Sequence, residues 1–147
     1  MTKANRLDLL QLSYSRVLVP QAVATEIQQY GETNLTFQAL QRADWLVLTQ
    51  TPPIPQEIQA CNLDPGESAV LSWAYQHPGT YAILDDLAGR RCAKHLGIPV
   101  RGTLGLVLIA KQHGHIAAAR PVIAELKQAG MYLSNRVINQ ALTLVGE

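Results

Sequence analysis

Charge is scarce in this chain, and cations are scarcest where the acids stand. Charged residues make up 16% of its 147 positions, and between Arg42 and Arg90 six acids occur without a single Lys or Arg. A chain that is 48% apolar and so thinly charged is globular rather than disordered. Cysteine is nearly absent. Cys61 and Cys92 are the only two, at no metal-ligand spacing; structural thiols in a reducing cytosol are the expectation, with a disulfide as the alternative. No apolar run reaches membrane-spanning length and no signal-peptide pattern opens the chain, so the expected protein is cytoplasmic with no membrane partner. A glycine-rich phosphate loop, a nucleophile elbow and a Cys–His catalytic pair are all missing. So are internal repeats, low-complexity tracts and linkers, which leaves one domain over residues 1–147, with about 117–147 as a C-terminal helical extension.

What is present is organised around Thr80-Tyr81-Ala82-Ile83-Leu84-Asp85-Asp86. An apolar run bounded by polar signals reads as a strand buried on both faces, of the kind found in parallel sheets. It ends in two carboxylates, and ligands of open α/β sheets bind outside the carboxyl ends of the strands. Net charge is +1 over the chain but uneven along it. Residues 1–86 carry four cations against nine acids, and residues 87–147 carry eight cations against two. Such a split suits a divalent cation in one half and an anionic polymer at the other, or two halves that neutralise each other.

The spacing predicts a helix from Lys3 to Tyr14, then Val17-Leu18-Val19 as a short strand with Pro20 at the first turn of the next helix. Val23, Ile27 and Tyr30 share a face of that helix, which stops at Gly31, with Glu26 at the edge of the stripe. A helix over Thr36–Ala43 and a strand over Trp45–Leu48 follow, then a proline-rich loop over Thr51–Pro55. Asp64-Pro65-Gly66-Glu67 has the form of a capping box opening a helix that runs to His77. After the central strand come a helix over Leu87–Leu96, a strand at Ile98–Val100, an apolar helix to Lys111, and helices over Ala118–Ala129 and Ser134–Leu144. Strands and helices alternating at this spacing imply an α/β layered sandwich with a parallel sheet.

Each candidate site residue has a plain structural reading beside the chemical one. Asp85 and Asp86 form a hard-oxygen pair suited to Mg²⁺ or Mn²⁺ rather than Zn²⁺, while Asp86 alone could simply cap the following helix. Glu67 could be a capping-box glutamate, and Glu26 a solvated helix residue. Arg90 and Arg91 follow the acids by one helical turn and could reach a phosphate or face solvent. Thr103 is an N-cap candidate at the carboxyl end of a strand. His113 and His115, astride a glycine, resemble a metal pair only superficially.

Taken together, the blocks resemble the PIN-domain family. Val17-Leu18-Val19-Pro20-Gln21-Ala22-Val23-Ala24-Thr25-Glu26-Ile27 looks like its strand-proline-helix segment with an active-site glutamate. Leu63-Asp64-Pro65-Gly66-Glu67-Ser68-Ala69-Val70 resembles its later acidic helix start. Ala82-Ile83-Leu84-Asp85-Asp86, Arg90, Arg91 and Ala93, Gly97-Ile98-Pro99-Val100 and Gly102-Thr103-Leu104-Gly105 resemble its third acidic block and C-terminal strand. The match spans nearly the whole chain and is similar to a VapC-like branch with extra C-terminal helices. The resemblance implies a three-layer α/β sandwich with a parallel sheet of about four strands, and a ribonuclease of toxin–antitoxin type. It implies one or two Mg²⁺ or Mn²⁺ ions held by Glu26, Glu67 and Asp86, with Asp85 a neighbouring ligand and Arg90 and Thr103 at the substrate phosphate. RNA, an antitoxin-like protein and a second copy of the chain are the implied partners; an inactive module binding RNA or a protein is the alternative.

The sequence departs from the family in one respect. The family opens with a strand ending in its first active-site aspartate, followed by the helix that Lys3-Ala4-Asn5-Arg6-Leu7-Asp8-Leu9-Leu10 resembles. Here the sequence starts within that helix, and Asp8 lies too far along it to substitute. Relative to the family the chain is truncated at its N-terminus: either the true start lies upstream, or the chain is a natural remnant, for which weak metal binding and slow or absent cleavage are expected. The truncation also leads to the expectation that Val17–Val19 and Tyr81–Leu84 pair directly, or that a second chain covers them.

Overall fold

A computed structural model describes residues 6–147. In chain order its elements are α1 (Asp8–Ser13), β1 (Val17–Pro20), α2 (Gln21–Gln28), α3 (Leu35–Arg42), β2 (Leu46–Thr49), α4 (Gln56–Gln59), α5 (Pro65–Gln76), β3 (Ala82–Ile83), α6 (Leu87–His95), β4 (Val100–Arg101), α7 (Thr103–Gln112), α8 (Ala119–Gln128) and α9 (Asn135–Leu144). The chain divides into two units, one of Arg16–Gly102 and one of the segment up to Ser15 with Thr103–Glu147. The Lys3–Asn5 part of the predicted first helix lies outside the described residues.

The Arg16–Gly102 unit holds all the β-structure found among the described residues. Its four strands are parallel, as their alternation with helices predicts, but they form two two-stranded sheets rather than one continuous sheet. β1 pairs with β2, Val17 opposite Leu46 and Pro20 opposite Thr49. β3 pairs with β4, Ala82 opposite Val100, and Ala82 and Leu84 donate to the carbonyls of Pro99 and Arg101 at 3.0 Å. The expected direct pairing of β1 with β3 does not occur. Instead both strands pack against α5, which also meets α2, α4 and α6. A helix, not the strand at 80–86, is therefore the hub of this unit.

The core explains why α5 can play that part. Ile58, Leu71, Ala74, Ala82, Leu84, Cys92, Ala93 and Ile98 form one buried cluster. On α5 the residues turned inward are mostly small, with Ser68, Ala69, Ser72 and Ala74 buried beside Leu71. Small side chains let neighbouring backbones approach on several sides at once. The Ser72 hydroxyl donates to the Ser68 carbonyl at 2.6 Å, so its burial leaves no unpaired donor. Within this core Cys61 and Cys92 are joined as a disulfide, with Cα atoms 6.1 Å apart. This replaces the free thiols expected from the sequence, where two cysteines 31 residues apart gave no sign of their proximity. Tyr30, expected on the apolar face of α2, is 69% exposed because that helix ends at Gln28 and Ala24 is its buried residue.

The second unit is helical. α7 packs against α1, α8 and α9, burying Leu9 and Leu10 of α1, Leu106, Val107 and Ala110 of α7, Val122, Ile123 and Leu126 of α8, and Ala141 and Leu142 of α9. The start of α8 has no side-chain cap from its own N-cap residue. The Glu147 carboxylate fills that place, accepting from the backbone N–H of Ala119 at 2.6 Å and of Arg120 at 3.2 Å. Those hydrogen bonds hold the Glu147 carboxyl below the usual glutamate range. Among the described residues no helix is long and apolar enough to cross a membrane.

Candidate functional site

The N-termini of α5 and α6 gather the candidate acids of the Arg16–Gly102 unit, Glu67 and Asp86 at their starts and Glu26 reaching in from α2. α5 begins at Pro65, whose missing N–H is no loss at that position, after Asp64 in extended conformation. The Asp64 side chain makes no capping hydrogen bond, so the predicted capping box does not form. The cap comes from another helix. Glu26, on α2, reaches across so that its Oε1 accepts from the Gly66 N–H at 2.8 Å. A carboxylate there meets both an orphan donor and the positive end of the helix dipole.

α6 is built the same way from a local residue. Asp86 is its N-cap and accepts from the Ala88 N–H at 2.9 Å. Glu67, at the third position of α5, lies against this second terminus: a β-carbon placed on Gly89 would be 3.8 Å from Glu67 Oε2. Burial first, then the charges of Asp86, Asp64 and Glu26, push the Glu67 carboxyl above its ordinary value. Glu26, Glu67 and Asp86 thus share one edge at which adding negative charge is resisted.

Asp85 and Arg90 occupy the neighbouring corner at the end of β4. A β-carbon on Gly102 would lie 2.5 Å from Arg90 Nη1 and 3.1 Å from Asp85 Oδ1. Arg90 is exposed, yet its Nη1 turns back to donate to the Leu84 carbonyl at 3.1 Å, at the end of β3. One guanidinium nitrogen is committed there; a planar fork has further donors to offer a phosphate. Thr103 opens α7 in the other unit, where it is only 1% exposed. The His113 and His115 rings stand edge to face, centroids 6.0 Å apart.

The donor set fits the hard, all-oxygen preference of Mg²⁺ or Mn²⁺. Its placement does not close around an ion. Among the described residues no group of three or more His, Cys, Asp and Glu side chains is positioned to hold a metal. Sequence reasoning missed the groups that fix the edge, the Gly66 N–H and the Leu84 carbonyl. The signal for the first was a glycine, a poor helix former, just inside a helix start.

The sequence model of the PIN-domain family matches residues 1–147. The chain belongs to the PIN-domain family. That membership accounts for the α/β architecture with parallel strands and carries a nuclease-type function, RNA binding and use of divalent metals at the level of the family. Comparison with curated proteins and with solved structures returns no match.

The electrostatics of this PIN domain give a stability prediction with a definite sign. Because the native pKa of Glu67 lies above 4.5, the folded state holds the proton more firmly than the unfolded state. Its ionisation therefore opposes folding, fully so above the raised value, and the penalty fades as pH falls towards 4.5. Glu67→Gln keeps a residue compatible with the third helical position and removes the charge. It is expected to raise the thermal midpoint modestly at pH 7, with a gain that shrinks as pH falls to 4. An equal gain at both pH values would show that repulsion is not its source.

Proposed function

We propose that this PIN-domain protein is a slow ribonuclease of toxin–antitoxin type, assisted weakly by Mg²⁺ or Mn²⁺. The observation that carries the reading is the shared acidic edge, with Glu26 on the α5 start and Glu67 against the α6 start that Asp86 caps, where burial first and then the charges of Asp86, Asp64 and Glu26 oppose the ionisation of Glu67. Carboxylates held together against their own repulsion at the ends of strands and helices recruit cations. In this reading Glu26, Glu67 and Asp86 are the catalytic acids, with Asp85 as a further oxygen ligand. Arg90 takes a substrate phosphate, and Thr103 would do so only if uncovered. The slow rate follows from commitment: Glu26 and Asp86 each already accept a helix N-terminal N–H, and no three ligands close around an ion. The test is cleavage of single-stranded RNA with Mn²⁺, with and without EDTA, beside the Glu67→Gln variant. Slow, EDTA-sensitive cleavage that the variant loses is expected; cleavage indifferent to both would end the assignment.

A second reading has an observation of its own. The same two hydrogen bonds give Glu26 and Asp86 structural work that needs no ion. On this view the chain is an inactive PIN-like module that binds RNA, an antitoxin-like protein or a second copy of itself. RNA retention in a gel shift with no cleavage under any metal favours it. Light scattering on the chain alone tests the second copy.

A further inference from the structure

Ten glycines occur in the sequence, and what surrounds them sorts them sharply. A β-carbon added at Gly31, Gly79, Gly97, Gly105, Gly114, Gly130 or Gly146 would meet nothing within 4 Å, and six of these seven have positive φ, the ordinary use of glycine in turns. Three would meet another side chain, and each meets one from the acidic edge. At Gly66 the β-carbon would fall 2.6 Å from Glu26 Oε2 and 2.9 Å from Oε1. At Gly102 it would fall 2.5 Å from Arg90 Nη1 and 3.1 Å from Asp85 Oδ1. Gly89 differs, because its first neighbour is Leu84 Cδ1 at 3.3 Å, with Glu67 only at 3.8 Å; close packing on the core accounts for it.

We infer that Gly66 and Gly102 are positioning residues of the acidic edge, each kept bare so that a charged side chain can seat against its backbone. The inference rests on the nuclease reading for its consequence and on geometry for its substance. Gly66 is the second residue of a helix with negative φ, a place where alanine would suit the backbone better. Local conformation therefore does not ask for glycine. The space above it does, since that space holds the Glu26 carboxylate on its way to the Gly66 N–H. At Gly102 the occupant is the Arg90 guanidinium, whose Nη1 donates to the Leu84 carbonyl, with Asp85 Oδ1 against the same position. In both cases the conflict with a β-carbon falls on the far end of a flexible side chain, so the side chain yields and the fold does not. A core-packing glycine would behave in the opposite way.

That contrast makes the test. Gly66→Ala is expected to fold cooperatively with a thermal midpoint close to the parent's, alanine's helix preference offsetting the lost cap, while Glu26 is displaced from the amide. The amide proton resonance of residue 66 should shift on Glu26→Gln in the parent and stay put on Glu26→Gln in the Gly66→Ala background. Mn²⁺-dependent RNA cleavage should fall in kcat by about tenfold or more with KM unchanged, the scale of losing a residue that orients a ligand. Glu26→Asp, one methylene shorter, should recover part of that loss in the Gly66→Ala background and lower activity in the parent. Gly102→Ala should likewise keep its midpoint and weaken RNA binding about fivefold, as an arginine–phosphate contact is lost. An amide at 66 that responds to Glu26→Gln equally in both backgrounds overturns the inference, as does loss of cooperative folding in Gly66→Ala. A parent that cleaves nothing overturns the nuclease reading alone, and the amide measurement still decides the glycine.

Discussion

Asp86→Asn should separate the two lives of this aspartate: cleavage falls by at least about a hundredfold while the fold holds to within about 1 kcal/mol. The reasoning weighs three terms. Asparagine caps helices about as well as aspartate, so the hydrogen bond to the Ala88 N–H survives. The charge's favourable contact with the α6 dipole, worth about 0.3–1 kcal/mol, is lost. Against that, Asp86 is the foremost charge raising the Glu67 carboxyl, and its removal relieves that repulsion. The last two terms oppose each other. Asp86→Ala is the reference, since it removes the cap as well and should cost about 1 kcal/mol more than Asn. Cleavage measured with Mn²⁺, alongside urea unfolding of all three proteins, checks both halves. If Asn retained parental cleavage, capping would be the whole role of Asp86.

Much of this could be read from residue order. Periodicity placed the helices over 65–76, 87–95 and 119–128 to within a residue or two, the first two helped by an aspartate at the start and the last two stopped by Gly97 and Gly130. The strands were found but their bounds moved: β1 and β2 each run one residue past the predicted end, to Pro20 and Thr49, β4 lies at Val100–Arg101 rather than Ile98–Val100, and the strand before the aspartates was overextended. Tyr81 and Leu84 flank a two-residue β3, since pairing to β4 lasts only as long as the Ala82–Ile83 register. A sheet's continuity depends on which edges meet in three dimensions, and apolar runs carry no record of that. The capping box at Asp64–Glu67 shows the same limit. Its sequence was right for a local cap, but Glu26, 40 positions away, supplies the hydrogen bond. Charge was also misleading when tallied along the chain. Arg90, Arg91, Lys94 and Arg101 belong to the basic half of the sequence yet fold within the unit that carries the acids. Arg90 and Asp85, from opposite halves of the sequence tally, both stand against Gly102.

Reducing the Cys61–Cys92 bond should cost about 3–4 kcal/mol of unfolding free energy, the largest stability effect expected in this molecule. The bond spans 31 residues, and closing a loop of that length in the unfolded chain removes entropy on this scale. The position supports a large value. Cys92 is 4% exposed in the cluster with Ile58, Leu71 and Ala93, so its partner is fixed by packing rather than by a mobile surface loop. The cross-link also joins the two segments that matter chemically. Cys61 stands just ahead of the start of α5, which carries Glu67, and Cys92 lies along α6, which Asp86 caps. Because the constraint acts on the unfolded state, the reduced protein should unfold with a steeper denaturant dependence than the oxidised one, its unfolded chain being more open. Urea titrations with and without a dithiol reductant, and of Cys61→Ser, measure both quantities. Curves agreeing within about 0.5 kcal/mol would mean that the surrounding core, not the covalent bond, holds α4 to α6.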